Sequence, residues 1–288
     1  MNGFSKAHPT VQLLFFAVAI IIPLSFSNPF ISAASLFGAV VFSLVNDTKR
    51  GLKSLIYSLA AIVAVGVFNM LFAHYGNTVI FVVKETNFTL EAFAFGINQG
   101  MLLASSIIWF TYFGRILDSE RLMYLFRFAP KLVLLFSMVL GFIPRFITKF
   151  GDIKDAKAGL RGGKKPETAR EKMSDALENL SALVTYSLES SIITADSMSA
   201  RGFNINKPRA SRFPFTNRDL VLLSLFIFTL FEMILQKAAG NLSFYFEPEL
   251  RIKSLSLVAL EVFILFNLIP SIIDLRKVYK WKRLNSKK

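Results

Sequence analysis

Six stretches of the chain are apolar almost without interruption, at residues 11–27, 29–45, 54–75, 92–113, 219–236 and 254–275. Apolar runs of about 17 to 25 residues are long enough to cross a hydrocarbon core of roughly 30 Å as helices. The pattern therefore predicts an all-α, polytopic membrane protein with about six transmembrane helices. Asn28-Pro29 joins the first two runs and predicts a tight turn between paired helices.

Between residues 115 and 218 polar and apolar positions mix at helical spacing. Over 117–129, Asp118, Glu120, Arg121 and Arg127 alternate with Leu122, Leu125, Phe126 and Phe128, the pattern of an interfacial helix. Residues 132–143 form an apolar stretch too short to span, closed by Pro144-Arg145, where a helix would kink. Charges at Lys149, Asp152, Lys154, Asp155 and Lys157 follow, and Gly159-Leu160-Arg161-Gly162-Gly163 marks a helix end. One long kinked helix is predicted over 130–161. A second opens after Pro166, where Glu167 and Glu171 complement its N-terminal dipole. Its apolar side runs through Met173, Leu177, Leu180, Val184, Leu188, Ala195 and Met198, and Ala200-Arg201 is stopped by Gly202. Such a helix is a rod of about 50 Å. Three blocks result: four spans in 1–114, an amphipathic module in 115–218, and two spans with a basic tail in 219–288.

Charge sets an expected orientation. Of the 33 Lys and Arg, 18 lie between Gly114 and Arg218 and 7 from Asp274 to Lys288. With six spans these share one side with Lys49, Arg50 and Lys53, while the opposite loops carry few. By the positive-inside rule both termini and the middle module are cytoplasmic, in the cell membrane. This also accounts for the net charge of +14, which in a soluble protein would suggest nucleic acid; no groove-entering motif or stacking platform accompanies it. Arg276, Lys277, Lys280, Trp281, Lys282 and Arg283 read as an anchor on anionic lipid.

Catalytic chemistry is sparse. The chain has no cysteine, and neither His8 nor His74 has a second histidine at metal-ligand spacing, so no metal site and no cofactor are expected. No Ala-x-Ala pattern closes the first apolar run, which is expected to be a span, not a cleaved leader. Gly162-Gly163-Lys164-Lys165 lacks the spacing of a phosphate-binding loop, so ATP hydrolysis is not expected of this chain. Glu232 and Glu261 lie inside predicted spans, where an ionisable group raises a proton-relay or ion-binding hypothesis; Gln236 and Asn267 are polar neighbours. Asn98 and Gln99 are expected to hydrogen-bond between helices, and the 31 phenylalanines to serve packing and lipid contact.

The run Ile193-Thr-Ala-Asp-Ser-Met-Ser-Ala-Arg-Gly-Phe203 resembles the second Ala-Arg-Gly signature of the transmembrane coupling (T) component of energy-coupling factor transporters, the CbiQ/EcfT family. Phe142-Ile143-Pro144-Arg145, followed by a charged helix into Leu160-Arg161-Gly162, is similar to that family's first signature, with Leu160 where Ala is usual. His8-Pro9-Thr10-Val11-Gln12-Leu13 is similar to the family's opening. The resemblance covers residues 8 to about 235; the sixth span and basic tail extend beyond it.

The resemblance implies a protein that performs no chemistry itself. Arg161 and Arg201, flanked by Leu160, Gly162, Ala200 and Gly202, would enter grooves on two ATP-binding cassette subunits. A guanidinium suits this, because it binds carboxylates through paired hydrogen bonds and stays charged when partly desolvated. A small membrane substrate-binding (S) protein would pack on the spans and the apolar coupling surface, and the cargo would be a vitamin or metal micronutrient. Two other readings stand beside it. An intramembrane enzyme would need a clustered acid, His or Ser constellation, and none of the usual motifs appears. A membrane scaffold for another cytoplasmic partner would share this composition.

Overall fold

The computed structural model describes residues 3–73, 76–83, 86–126, 128–160, 162, 168–203, 213–242, 244–246, 251–252 and 256–285. Among the described residues the protein is 84% helical. After a short 3-10 turn, Phe4–Lys6, the helices are α1 (Pro9–Ser25), α2 (Pro29–Asn46), α3 (Thr48–Phe72), α4 (Leu90–Ile116), α5 (Ser119–Leu125), α6 (Pro130–Leu160), α7 (Ala169–Ala200), α8 (Asn217–Ala238) and α9 (Leu257–Asn285). Two small antiparallel ribbons join helices: β1 (Val79–Val83) with β2 (Thr86–Thr89), and β3 (Phe244–Tyr245) with β4 (Arg251–Ile252). The protein is a multi-pass, all-α membrane protein. Every predicted span forms a helix, although the predicted interfacial helix over 117–129 is only the seven residues of α5.

One expectation about the spans is corrected. The stretch beginning at 132 was too short on the assumption that Pro144-Arg145 ends it. Lys131–Leu160 is instead one of six helices long and apolar enough to cross a membrane, with α2, α3, α4, α8 and Leu257–Arg276 of α9. The reason is that Phe146, Ile147 and Phe150 prolong the apolar run while the helix continues through Pro144. With 17 residues, α1 is a shorter apolar helix.

The chain divides into two compact units, Met1–Leu122 with Phe213–Lys288, and Met123–Arg212. In the first, α1 packs on α4 and α8, and α2 on α3, α4 and α9. Phe15 of α1 is fully buried at the hub of an aromatic cluster, 5.3 Å from Phe4, 5.3 Å from Trp109, 5.5 Å from Phe226 and 5.0 Å from Phe266, centroid to centroid. Such ring pairs contribute about 0.5–1.5 kcal/mol each beyond the area they bury.

Helices α3 and α4 lie against each other with small residues at the crossing. A Cβ placed on Gly96 would fall 2.9 Å from Gly66 Cα, and one on Gly100 would fall 2.7 Å from Ile62 Cα. Gly96-x-x-x-Gly100 thus lets two backbones approach, as membrane helices do where lipid offers no hydrophobic drive for association. Because 66 faces 96 and 62 faces 100, the two helices run antiparallel.

Buried hydrogen bonds complete this unit. The Ser32 hydroxyl donates to Asn98 Oδ1 at 2.6 Å, joining α2 to α4 as expected of Asn98, and the Trp109 indole N–H donates to the Ser35 hydroxyl at 3.3 Å. The N-terminal turn is pinned from two helices: the Phe4 N–H donates to Asp274 Oδ1 at 2.8 Å and the His8 N–H to Asp219 Oδ1 at 2.9 Å. Gln12 receives Arg121 Nη1 of α5 at 2.9 Å.

Candidate functional site

In the second unit α6 and α7 form an antiparallel hairpin. Lys157 Nζ lies 2.7 Å from Asp175 Oδ1 and 2.7 Å from Glu178 Oε2, and Lys149 Nζ lies 5.1 Å over the Tyr186 ring. As position rises from 149 to 157 on α6, its partner falls from 186 to 175 on α7, which fixes the direction. Thr168 precedes α7, and its N–H donates to Glu171 Oε2 at 3.4 Å in a capping box. The Thr168-x-x-Glu171 spacing is itself the sequence signature of this box, beyond the favourable dipole at Glu171. Glu167, also expected to favour the helix start, lies outside the described residues.

The seam of this hairpin is polar and its outer face apolar. At 100° per residue, Met173, Leu177, Leu180, Val184 and Leu188 fall within about 80° of arc, and Asp175, Asn179 and Tyr186 centre on the opposite side. Those five apolar side chains are half to two-thirds exposed, whereas Asn179 is buried. On α6, Leu132, Phe136, Val139, Ile143 and Ile147 are exposed as well, and none of its described residues is buried. In a membrane protein an apolar stripe of this length faces lipid or another protein.

The tips carry the remaining predicted residues. Arg201 caps α7, Gly202 follows at φ 74°, and the amides of Gly202 and Phe203 bond back to the carbonyls of Ser199 and Met198 at 3.0 Å each. This is a Schellman closure, in which glycine supplies the left-handed residue. Ala200 ends the helix, Arg201 is exposed, and its guanidinium has no hydrogen bond or ion pair among the described residues. Phe203 beside it is 53% exposed. At the other tip Gly162 has φ 61° and its N–H bonds to the Gly159 carbonyl at 3.1 Å, the counterpart of the Gly202 bond, while Leu160 is 90% exposed. Arg161 lies outside the described residues.

Gly240, after α8, has φ 71° and the same pair of return bonds, but Ala239 stands where Arg201 stands on α7. The glycines are therefore accounted for by helix termination alone. What distinguishes the hairpin tips is the side chain set before each glycine and the exposed apolar neighbour, Leu160 or Phe203. Because the helices are antiparallel, the tips lie at opposite ends of the hairpin. Eleven residues of α6 beyond Lys149 and fifteen of α7 beyond Tyr186 put them about 40 Å apart along its axis.

Pro144 sits within α6, where it lacks the amide that would bond Leu140, and the Thr148 hydroxyl donates to its carbonyl at 3.1 Å. The other candidates fall elsewhere. Glu232 Oε1 accepts from Gln236 Nε2 at 2.8 Å, within two turns of the end of α8, and Glu261 is exposed on α9. His8 caps α1, its Nδ1 accepting the Thr10 N–H at 3.3 Å, with its ring edge-on to Phe215 at 5.1 Å. His74 is outside the described residues, among which no cluster of three metal-binding side chains occurs. Of the basic tail, Arg276 is exposed and the α9 backbone continues to Asn285. Neither a family model nor a curated protein sequence matches the chain.

Proposed function

We propose that this protein is the transmembrane coupling component of an energy-coupling factor importer for a vitamin or metal micronutrient. The observation that carries the reading is the α6–α7 hairpin: a charged seam, an outward apolar face, and tips that present Arg201 and, by sequence, Arg161. Each tip would seat in a groove of one of two separate ATP-binding cassette subunits. The spacing of about 40 Å favours two separate grooves over one shared pocket. Breaking a charge pair buried at such an interface costs about 2 to 5 kcal/mol, enough to uncouple the motors.

Force reaches the membrane through the hairpin. ATP-driven closure shifts the tips, the rods of α6 and α7 carry the displacement, and their exposed apolar stripes act on the small S protein that holds the cargo. The chain itself hydrolyses nothing. In this arrangement α6 lies on the cytoplasmic side with α7, whose charges at Arg170, Glu171, Lys172, Asp175, Glu178, Glu189 and Asp196 are costly to place in lipid.

The test combines isolation and substitution. Purified gently from its native membrane, the chain should bring two nucleotide-binding subunits and one small apolar membrane protein. R161A/R201A should lose the nucleotide-binding subunits and abolish uptake of the cargo that the copurifying S protein binds, while eluting as a folded protein. Uptake at the unmodified rate by that variant refutes the coupling role.

A further inference from the structure

A cleft of about 320 Å³ opens between α2, α3 and α4, at the end of the bundle where α3 begins and α4 ends. Arg50 and Lys53 from the first turns of α3, and Arg115 from the last turn of α4, line its rim. They meet there because the helices are antiparallel. Asp47 takes part of the charge of Arg50 at 3.1 Å, so three cations face one carboxylate and two positive charges remain. Arg115 is held 5.4 Å over the Tyr112 ring, and Ser54 and Tyr57 add hydroxyl donors. Below this rim the lining turns apolar at Ala61, Ala104 and Ile107. The cleft opens sideways along the helices, since Tyr57 is 70% and Ile107 56% exposed.

A basic rim over an apolar, laterally open slot fits a ligand that is anionic at one end and aliphatic along the other. We infer that this cleft is a binding site for an anionic phospholipid of the surrounding bilayer. Its phosphate would sit among Arg50, Lys53 and Arg115, and one acyl chain would run along Ala61, Ala104 and Ile107. Basic pockets between membrane helices hold lipid head groups in this way. A soluble phosphate would use the rim and leave the slot empty. A zwitterionic head group brings its own cation against the residual positive charge, which favours an anionic lipid. The site joins α2, α3 and α4 at one level, so an occupying lipid also clamps these helices. This inference needs only that α3 and α4 span the membrane, and stands apart from the coupling role.

The full chain, reconstituted in nanodiscs of mixed phosphatidylglycerol and phosphatidylcholine, should retain phosphatidylglycerol on extraction, as measured by native mass spectrometry. R50Q/K53Q/R115Q should bind it about 125-fold more weakly, counting roughly fivefold for each of the three positive charges removed near the surface. K49Q/K154Q/R170Q, which removes three cations outside the cleft, should retain it as the unmodified chain does. Equal loss in both triple variants means general attraction to a charged surface and overturns the site. Complete competition by soluble glycerol phosphate at equal concentration overturns the lipid assignment. Should the cleft variant aggregate, K53Q and R115Q singly read the same difference, and unchanged retention in both overturns the proposal.

Discussion

In the bundle, large side chains turn inward: Phe15 meets five aromatic rings, Gly96 and Gly100 let α3 and α4 touch, and Ser32 and Asn98 share a buried hydrogen bond. In the α6–α7 hairpin the polar groups turn inward, with Lys157 between Asp175 and Glu178, while Leu177, Leu180, Val184 and Leu188 turn out. The first arrangement satisfies itself. Lipid supplies no hydrophobic force between helices, so ring packing, close backbones and paired polar groups do the joining. The second leaves its apolar area uncovered and uses charge only to align two rods. A face open to lipid or to another protein has this form, and a bundle core does not.

The contrast breaks outright if α6 crosses the bilayer. Because the chain has no cysteine, single cysteines at Lys131 and Lys154 can be introduced directly. Both should react with a membrane-impermeant maleimide from the same side. Labelling from opposite sides makes α6 a span and removes the hairpin from the cytoplasm.

Next in size comes a pair of truncations. Phe15→Ala should cost about 3–5 kcal/mol of stability by thermal unfolding in detergent, since the hub ring leaves a cavity. Leu180→Ala should stay within about 0.5 kcal/mol of the unmodified chain, and should instead weaken copurification of membrane partners. Similar stability losses in both would mean that the stripe is core. Smaller again, Gly202→Val should cost about 1–2 kcal/mol, because a branched residue resists φ 74°; helicity near the tip, followed by amide exchange, reports it. The least effect belongs to Lys157→Ala. It should loosen the seam in low salt and matter less in high salt, as read by amide exchange in α7, since its partner Glu178 is largely exposed.

Much of this was legible from hydropathy and punctuation. The Asn28-Pro29 turn, the stop of α7 at Arg201-Gly202 and the stop of α6 at Leu160 all appear where the residues place them. The continuous helix through Pro144 also lies where the residues place it; what the stretch 132–143 understated is the apolar length, because Phe146, Ile147 and Phe150 extend the run past the proline. The two β-ribbons between spans left no distinct mark in the apolar pattern, because such short strands offer too few alternations. The cleft at Arg50, Lys53 and Arg115 was invisible for another reason: its cations come from helices some sixty residues apart and meet only through antiparallel packing.

Helix positions, caps and the membrane class follow from neighbours within one or two turns, so the chain alone determined them. Which face of each helix is covered depends on partners distant in sequence, and there local pattern is silent. An apolar stripe on α7 reads the same whether it faces α6 or the outside. The seam of Lys157, Asp175 and Glu178 decided between them, because opposite charges paired across the two helices hold their polar faces together.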